Sequence, residues 1–189
     1  MLGLRNQIKA RRLGLSIDTV ASESHRVLSQ LLPLVVRLGI QSIAIYFPIQ
    51  NEINVVSCYP DLELNEIAIF APKFISDTVG YSVAPWAGPY GTITVQGRFD
   101  VAEPSASPID IMDAKSAIEA WVVPGLVFGK NGGRLGFGNG YFDRLLAQSM
   151  GIKIGIGYNF QLFDHIALKP NDVPMDYVIT PSTTHRCRQ

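Results

Sequence analysis

At 189 residues the chain is long enough to bury a sizeable core, and its length fits a single domain over 1–189. With 47% hydrophobic and 17% charged residues it falls outside the composition of disordered proteins. Its 16 basic residues balance its 16 acidic ones, so no global attraction to nucleic acid or to an anionic membrane is expected, and only a local basic groove stays open.

Taken in chain order, Leu4, Ile8 and Arg11-Arg12 to Leu15 predict an amphipathic helix with a basic face. Ser16 is the expected N-cap of a second helix, with Val20, Val27, Leu28 and Leu31 on its inner side, which Pro33 ends or kinks. Ser42 to Phe47 reads as a buried strand. Ile53 to Leu64 is ambiguous, because the order of elements asks for a helix and Pro60 weakens one. Ile67 to Ala71 is the next buried strand, and residues 76–110, with Gly, Pro and short β-like runs, predict a hairpin excursion over the core. Ser116 to Glu119 leads into the apolar strand Trp121-Val122-Val123-Pro124. A helix is expected over Gly140 to Met150, and the last strands over Lys153–Tyr158 and Asp176–Thr180. Apolar strands alternating with helices predict an α/β fold, a mainly parallel sheet with helices on both faces. Ligands of such sheets bind beyond the carboxyl ends of the strands. The segments Phe47–Glu52, Pro72-Lys73 and 125–143 all follow strands and can converge there.

Cys58 and Cys187 are far apart and lack a C-x-x-C partner, which predicts free thiols and a reducing, cytoplasmic setting. His25, His165 and His185 show no metal-ligand spacing. No apolar run approaches the roughly 18–20 residues that span a bilayer, and the basic N-terminus has no signal-peptide core behind it.

The segment 121–146 carries the chemistry. A strand, a glycine-rich turn and a helix start form a geometry that holds phosphate on backbone N–H groups. Arg134 adds a planar fork of donors. Asp143, just inside the helix, would repel phosphate unless a cation lay between them, which points to a nucleotide bound with Mg²⁺. The loop is not a Walker loop, because no Gly-Lys-Ser/Thr follows its glycines. It is not the dinucleotide fingerprint either, because Tyr141 stands where the third glycine belongs. A glycine turn that merely caps a strand is the alternative reading of the glycines alone.

The run Val123-Pro124-Gly125, Phe128, Gly132, Arg134-Leu135-Gly136, Gly138, Gly140-Tyr141-Phe142-Asp143 closely resembles the signature of the 5-formyltetrahydrofolate cyclo-ligase (5,10-methenyltetrahydrofolate synthetase) family. Weaker matches extend the resemblance from Leu4 to Thr180. They comprise Leu4-Arg5 with Arg11-Arg12 and Ser16, Tyr46-Phe47-Pro48 with Glu52, Pro72-Lys73, Phe99 with Glu103-Pro104, and Gln161, Asp172, Pro174 and Thr180. Several positions depart from the family pattern. Met1 stands where a Lys is usual, for which a shortened N-terminus is one reading. Phe142 replaces a second Tyr, Asn139 stands where some members have Lys, Gly129 replaces an Asp, Asn171 a His and Pro181 a Glu.

The resemblance implies a fold like that of the ribose-5-phosphate isomerase and CoA-transferase group. It implies ATP- and Mg²⁺-dependent closure of 5-formyltetrahydrofolate, with or without a polyglutamate tail, to the 5,10-methenyl form. It makes Arg5, Arg134, Leu135, Gly136, Phe137, Gly138, Asn139, Gly140, Tyr141 and Phe142 the expected ATP contacts, with Arg134 and Tyr141 serving the chemistry. Phe47, Glu52, Phe99 and Tyr141 are the expected folate side, and Asp143 and Asp172 the expected Mg²⁺ side. Phe47 and Phe99 would otherwise count as core, Glu52 and Arg5 as surface charges and Asp172 as part of a turn. Lys73 is read as exposed or as a contact for a glutamate tail, and Trp86 and Trp121 as packing residues. No nucleic acid or membrane partner is expected, and the protein is read as a monomer or weak dimer. Two alternatives stay open: a folate- or nucleotide-binding relative without turnover, and a sugar-phosphate or acyl-CoA enzyme of the same fold.

Overall fold

Consecutive residues of the central strands bury toward opposite faces, and this alternation builds the molecule. Ile43, Ile45, Val122 and Ile179 enter one apolar cluster, while their neighbours Ala44, Trp121, Val123 and Val178 enter another. A strand buried on both faces needs cover on both. In the computed structural model, which describes residues 2–88, 94–97, 101–147 and 149–187, that cover comes from different helices.

The elements run α1 (Leu2–Leu13), α2 (Ile17–Arg37), β1 (Ser42–Ala44), a 3-10 turn (Val55–Cys58) leading into α3 (Tyr59–Leu64), β2 (Ala68–Ser76), β3 (Gly80–Pro85), β4 (Thr94–Gln96) and β5 (Ala102–Pro104). They continue with α4 (Ile111–Ala117), β6 (Ala120–Pro124), β7 (Val127–Gly129), β8 (Arg134–Leu135), α5 (Tyr141–Leu146), β9 (Ile152–Ile156), β10 (Leu162–Phe163), β11 (Tyr177–Thr180) and β12 (Thr183–Arg186). The main sheet has the order β12-β11-β9-β6-β1-β2-β3. Its five inner strands pair in parallel, and β12 and β3 close the edges antiparallel. Val27, Leu31, Leu34 and Val35 of α2 cover one face. Ala114 of α4 and Leu145 and Leu146 of α5 cover the other. A small sheet, β10-β7-β8, lies beside the main one, and Ile8 of α1 packs on its Val127 and Leu135.

Local chemistry explains the element boundaries. Ser16 caps α2 as expected, its Oγ accepting the Thr19 N–H at 3.2 Å. Pro33 does not end that helix, which runs on to Arg37. The ambiguous stretch 53–64 is two short helices, with Pro60 in the first turn of α3, where its missing N–H costs nothing. The strand expected over 42–47 stops at Ala44, and the one expected over 67–71 extends to Ser76 to form a ribbon with β3. The helix expected over 140–150 lasts only from Tyr141 to Leu146, because Ala147 turns to extended backbone. β12 was not expected. Both cysteines are free and buried, and burial pushes the Cys58 thiol up to about 12 and Cys187 up to about 11. Trp86 and Trp121 are buried, as packing residues should be. Among the described residues no helix is long and apolar enough to cross a membrane.

Strand order reverses between β1 and β6, since β1 leads on to β2 on one side and β6 lies on the other. A crevice opens at such a switch point beyond the carboxyl ends. The chain after β1 (residues 45–52) and the chain after β6 (from Gly125) form its two lips.

Candidate functional site

Over this crevice lies a cavity of about 490 Å³. Every site residue expected from the sequence and lying among the described residues lines it: Arg5, Phe47, Glu52, Arg134, Leu135, Gly136, Phe137, Gly138, Asn139, Gly140, Tyr141, Phe142, Asp143 and Asp172. Phe99 lies outside the described residues.

One end of the cavity is the glycine loop after β8. Gly138 and Gly140 sit at φ 112° and 65°, backbone that glycine adopts without strain. Arg134 is buried beneath the loop. Its Nη2 donates to Asp143 Oδ1 at 2.8 Å and its Nη1 to the Pro124 carbonyl at 3.4 Å, while its Nε has no partner. Burial pulls the Arg134 pKa down, and the adjoining Asp143 carboxylate opposes that. In the protein itself, the cation that offsets the Asp143 carboxylate is Arg134. Asp172 lines the cavity beside them, and its Oδ2 accepts the Lys169 N–H at 2.9 Å. Among the described residues no group of three or more His, Cys, Asp or Glu side chains is placed to hold a metal. Two carboxylates are nonetheless enough for a Mg²⁺ that keeps most of its ligands as water and substrate oxygen. With only six residues, α5 contributes little macrodipole, which leaves the loop N–H groups and Arg134 as the groups that could hold an anion here.

The N-terminal helix clamps the loop. Arg5 Nε donates to the Gly136 carbonyl at 3.0 Å, and Phe137 lies with its ring 5.5 Å from the Arg12 guanidinium and 6.0 Å from the Lys9 ammonium. Tyr141 stacks edge-on against Tyr81 at 5.3 Å, with the Arg144 guanidinium 4.9 Å over its ring. Phe142 packs against both core clusters while also facing the cavity.

The other end is built on the β1 lip. Phe47 stands edge-on to Trp86 at 5.2 Å. Glu52 is 6% exposed; its Oε1 accepts from Arg12 Nη1 at 3.3 Å and its Oε2 from the Ile49 N–H at 3.1 Å. Burial raises the Glu52 pKa to about 7, with the Arg12 charge and the Ile49 N–H pulling the other way. A carboxyl titrating near neutrality can hold or release a proton under working conditions.

Sequence reading missed three residues. Arg12 is only 1% exposed, not part of a solvated face, and its guanidinium also reaches the Gln50 carbonyl at 2.9 Å and the Gly125 carbonyl at 3.4 Å. It therefore ties the two lips of the crevice together. Tyr81 and Glu103 line the cavity from the β3 and β5 side. The only signal for Arg12 was the doubled Arg11-Arg12, which reads as surface charge, and Glu103 appeared only as part of a Glu-Pro match. Lys73 is neither exposed nor free. Its Nζ donates to the carbonyls of Pro104, Ser105 and Ala106 at 2.8, 3.2 and 2.7 Å, fixing the β5 segment to β2.

Comparison with known proteins agrees with this geometry. The model of the 5-formyltetrahydrofolate cyclo-ligase family matches residues 2–181. The 5-formyltetrahydrofolate cyclo-ligase of Mycoplasma pneumoniae is 33% identical over 180 residues, covering 93% of this chain and 95% of that one. The NMR structure of the Aquifex aeolicus 5,10-methenyltetrahydrofolate synthetase superposes with a TM-score of 0.82 at 30% identity, covering 99% of this chain and 92% of that one. The Mycoplasma pneumoniae 5,10-methenyltetrahydrofolate synthetase structure gives 0.73 at 30% identity, with 95% and 97% covered. With the family matched along nearly its whole length and the fold shared, the chain belongs to the 5-formyltetrahydrofolate cyclo-ligase family.

Proposed function

We propose that the protein closes 5-formyltetrahydrofolate to 5,10-methenyltetrahydrofolate, with ATP as co-substrate, Mg²⁺ as its metal, and ADP and phosphate as the other products. One observation carries this reading. A single cavity joins a glycine loop over a buried Arg134 to an aromatic and carboxylate end at Phe47 and Glu52. The residues suit a polyphosphate: Arg134 Nε is buried without a partner, and a Cβ built on Gly138 would meet no atom within 4 Å, so the loop face is open. Asp143 and Asp172 are the residues that would hold the metal. Bound there, Mg²⁺ would neutralise phosphate charge as the phosphoryl group moves.

A formamide carbonyl is a poor electrophile, and its oxygen is a poor leaving group. Transfer of the γ-phosphoryl group to the formyl oxygen answers both problems, because that oxygen can then leave as phosphate when N10 attacks the carbon. The chain needs no covalent nucleophile for this. Its work is positioning and charge stabilisation. Arg134 and the N–H groups of Gly136–Gly140 serve the phosphate. Phe47 and Tyr141 offer apolar walls to the folate rings, and Glu52 a proton-exchanging group. Absorbance of the methenyl product decides the matter. Product forming only with both ATP and Mg²⁺ present is the expected result; equal product without ATP rules the reading out, and folate binding without product means a relative that has lost turnover.

A further inference from the structure

Glu103 has the burial of a core residue and the position of a ligand contact. It is 5% exposed, lines the cavity, and its Oε1 accepts no hydrogen bond. It also forms no ion pair among the described residues. A buried acceptor left without a donor is costly, and such groups are retained where something else supplies the donor. The side chain is fixed from behind. Gly97 runs so close that a Cβ there would collide with the Glu103 carboxylate, and the Lys73 ammonium pins the three carbonyls that follow β5. Glu52 cannot substitute for it, since both of that residue's oxygens already accept protein hydrogen bonds.

We infer that Glu103 receives the two parallel N–H donors of the pterin ring, at N3 and the 2-amino group, and so fixes which way the folate lies in the cavity. This rests on the proposed substrate. A carboxylate offers paired acceptors matched to paired donors. The neighbouring rings of Tyr81 and Tyr141, 5.3 Å apart, supply the apolar surface that a flat heterocycle needs. Glu103 thereby sets substrate orientation, while Arg134 and the glycine loop handle the phosphate.

The test is equilibrium binding of 5-formyltetrahydrofolate, followed by protein fluorescence, to the wild type, Glu103→Gln and Glu103→Asp, with an analogue lacking the 2-amino group measured in parallel. The expected result is a folate affinity about 10- to 100-fold weaker in Glu103→Gln, with ATP affinity unchanged and most of the discrimination against the analogue gone. Wild-type affinity in both variants overturns the inference, as does a lowered melting temperature with an unchanged folate Kd. Equal affinity of the wild type for the two ligands overturns it without any variant. Turnover separates the two readings. A wild type that binds folate and discriminates but makes no product sinks the proposed reaction and leaves Glu103 its role. Normal turnover by Glu103→Gln at an unchanged folate KM does the reverse.

Discussion

Replacing Arg12 by Met tests the electrostatics of the crevice. In the intact protein Glu52 titrates at about 7, against 4.5 for an unperturbed glutamate. Between those values the folded state binds a proton that the unfolded state has lost, so stability is greatest below about pH 4.5 and falls as pH rises through 7, by about 1.4 kcal/mol per pH unit. Arg12 holds the value down to 7 by favouring the carboxylate. Without it the Glu52 pKa climbs further, and the falling limb extends above neutrality. The Arg12→Met variant then loses the Gln50 and Gly125 hydrogen bonds at every pH, at about 1–3 kcal/mol together. It loses a further increment that grows to about 2 kcal/mol by about pH 8.5, from the same slope over one and a half units. Breaking a buried pair on one side costs about 3–5 kcal/mol in all, which is the range these contributions reach at high pH. Urea unfolding at about pH 5.5 and about pH 8.5 measures both parts. Adding Glu52→Gln to Arg12→Met should abolish the growth with pH. An identical loss at both pH values would refute the assignment of the buried pair as the source.

Other perturbations address the glycine-loop end of the cavity. Arg134→Ala should lower turnover about 10²–10³-fold, the usual cost of one preorganised donor, while folate affinity holds; near wild-type kinetics would show that Arg134 serves only as a strut for Asp143 and Pro124. Asp143→Asn should raise the Mg²⁺ concentration needed for half-maximal rate and leave folate binding near normal. If the Mg²⁺ dependence stays unchanged and the melting temperature falls, Asp143 acts only as the anchor of Arg134.

The parts of this protein legible in the sequence are those that follow from spacing. The alternation that buries Trp121 and Val123 on one face and Val122 on the other is written in an unbroken apolar run, and the glycines of 136–140 announce their turn. Arg12 is different. Whether an arginine on an amphipathic helix meets water or a buried carboxylate depends on a partner 40 positions away, and no local pattern encodes that. Lys73 was misread for the same reason, since its three acceptors are backbone carbonyls more than 30 residues on. Of the two outcomes expected at Pro33, an end or a kink, the end is ruled out, since α2 runs on to Arg37. A proline's local preference for ending a helix is outweighed when the flanking turns are held by burial, as Leu31, Leu34 and Val35 are.

The docking of α1 has a consequence for how the chain assembles. A helix of twelve residues is marginal alone in water, so α1 depends on its partners to persist. Those partners are remote. The Asn51 side chain gathers the carbonyls of Arg12, Leu13 and Leu15 at the helix's end, while Arg5 reaches a carbonyl 131 positions away. During synthesis α1 is made well before the glycine loop that it grips, so it can settle only once that loop exists. Contacts of such long sequence separation slow folding, because the entropy of closing the loop is spent before the contact forms. The order also works as a safeguard. An incomplete chain lacks the loop that Arg5 grips, so a half-made protein cannot close the cavity.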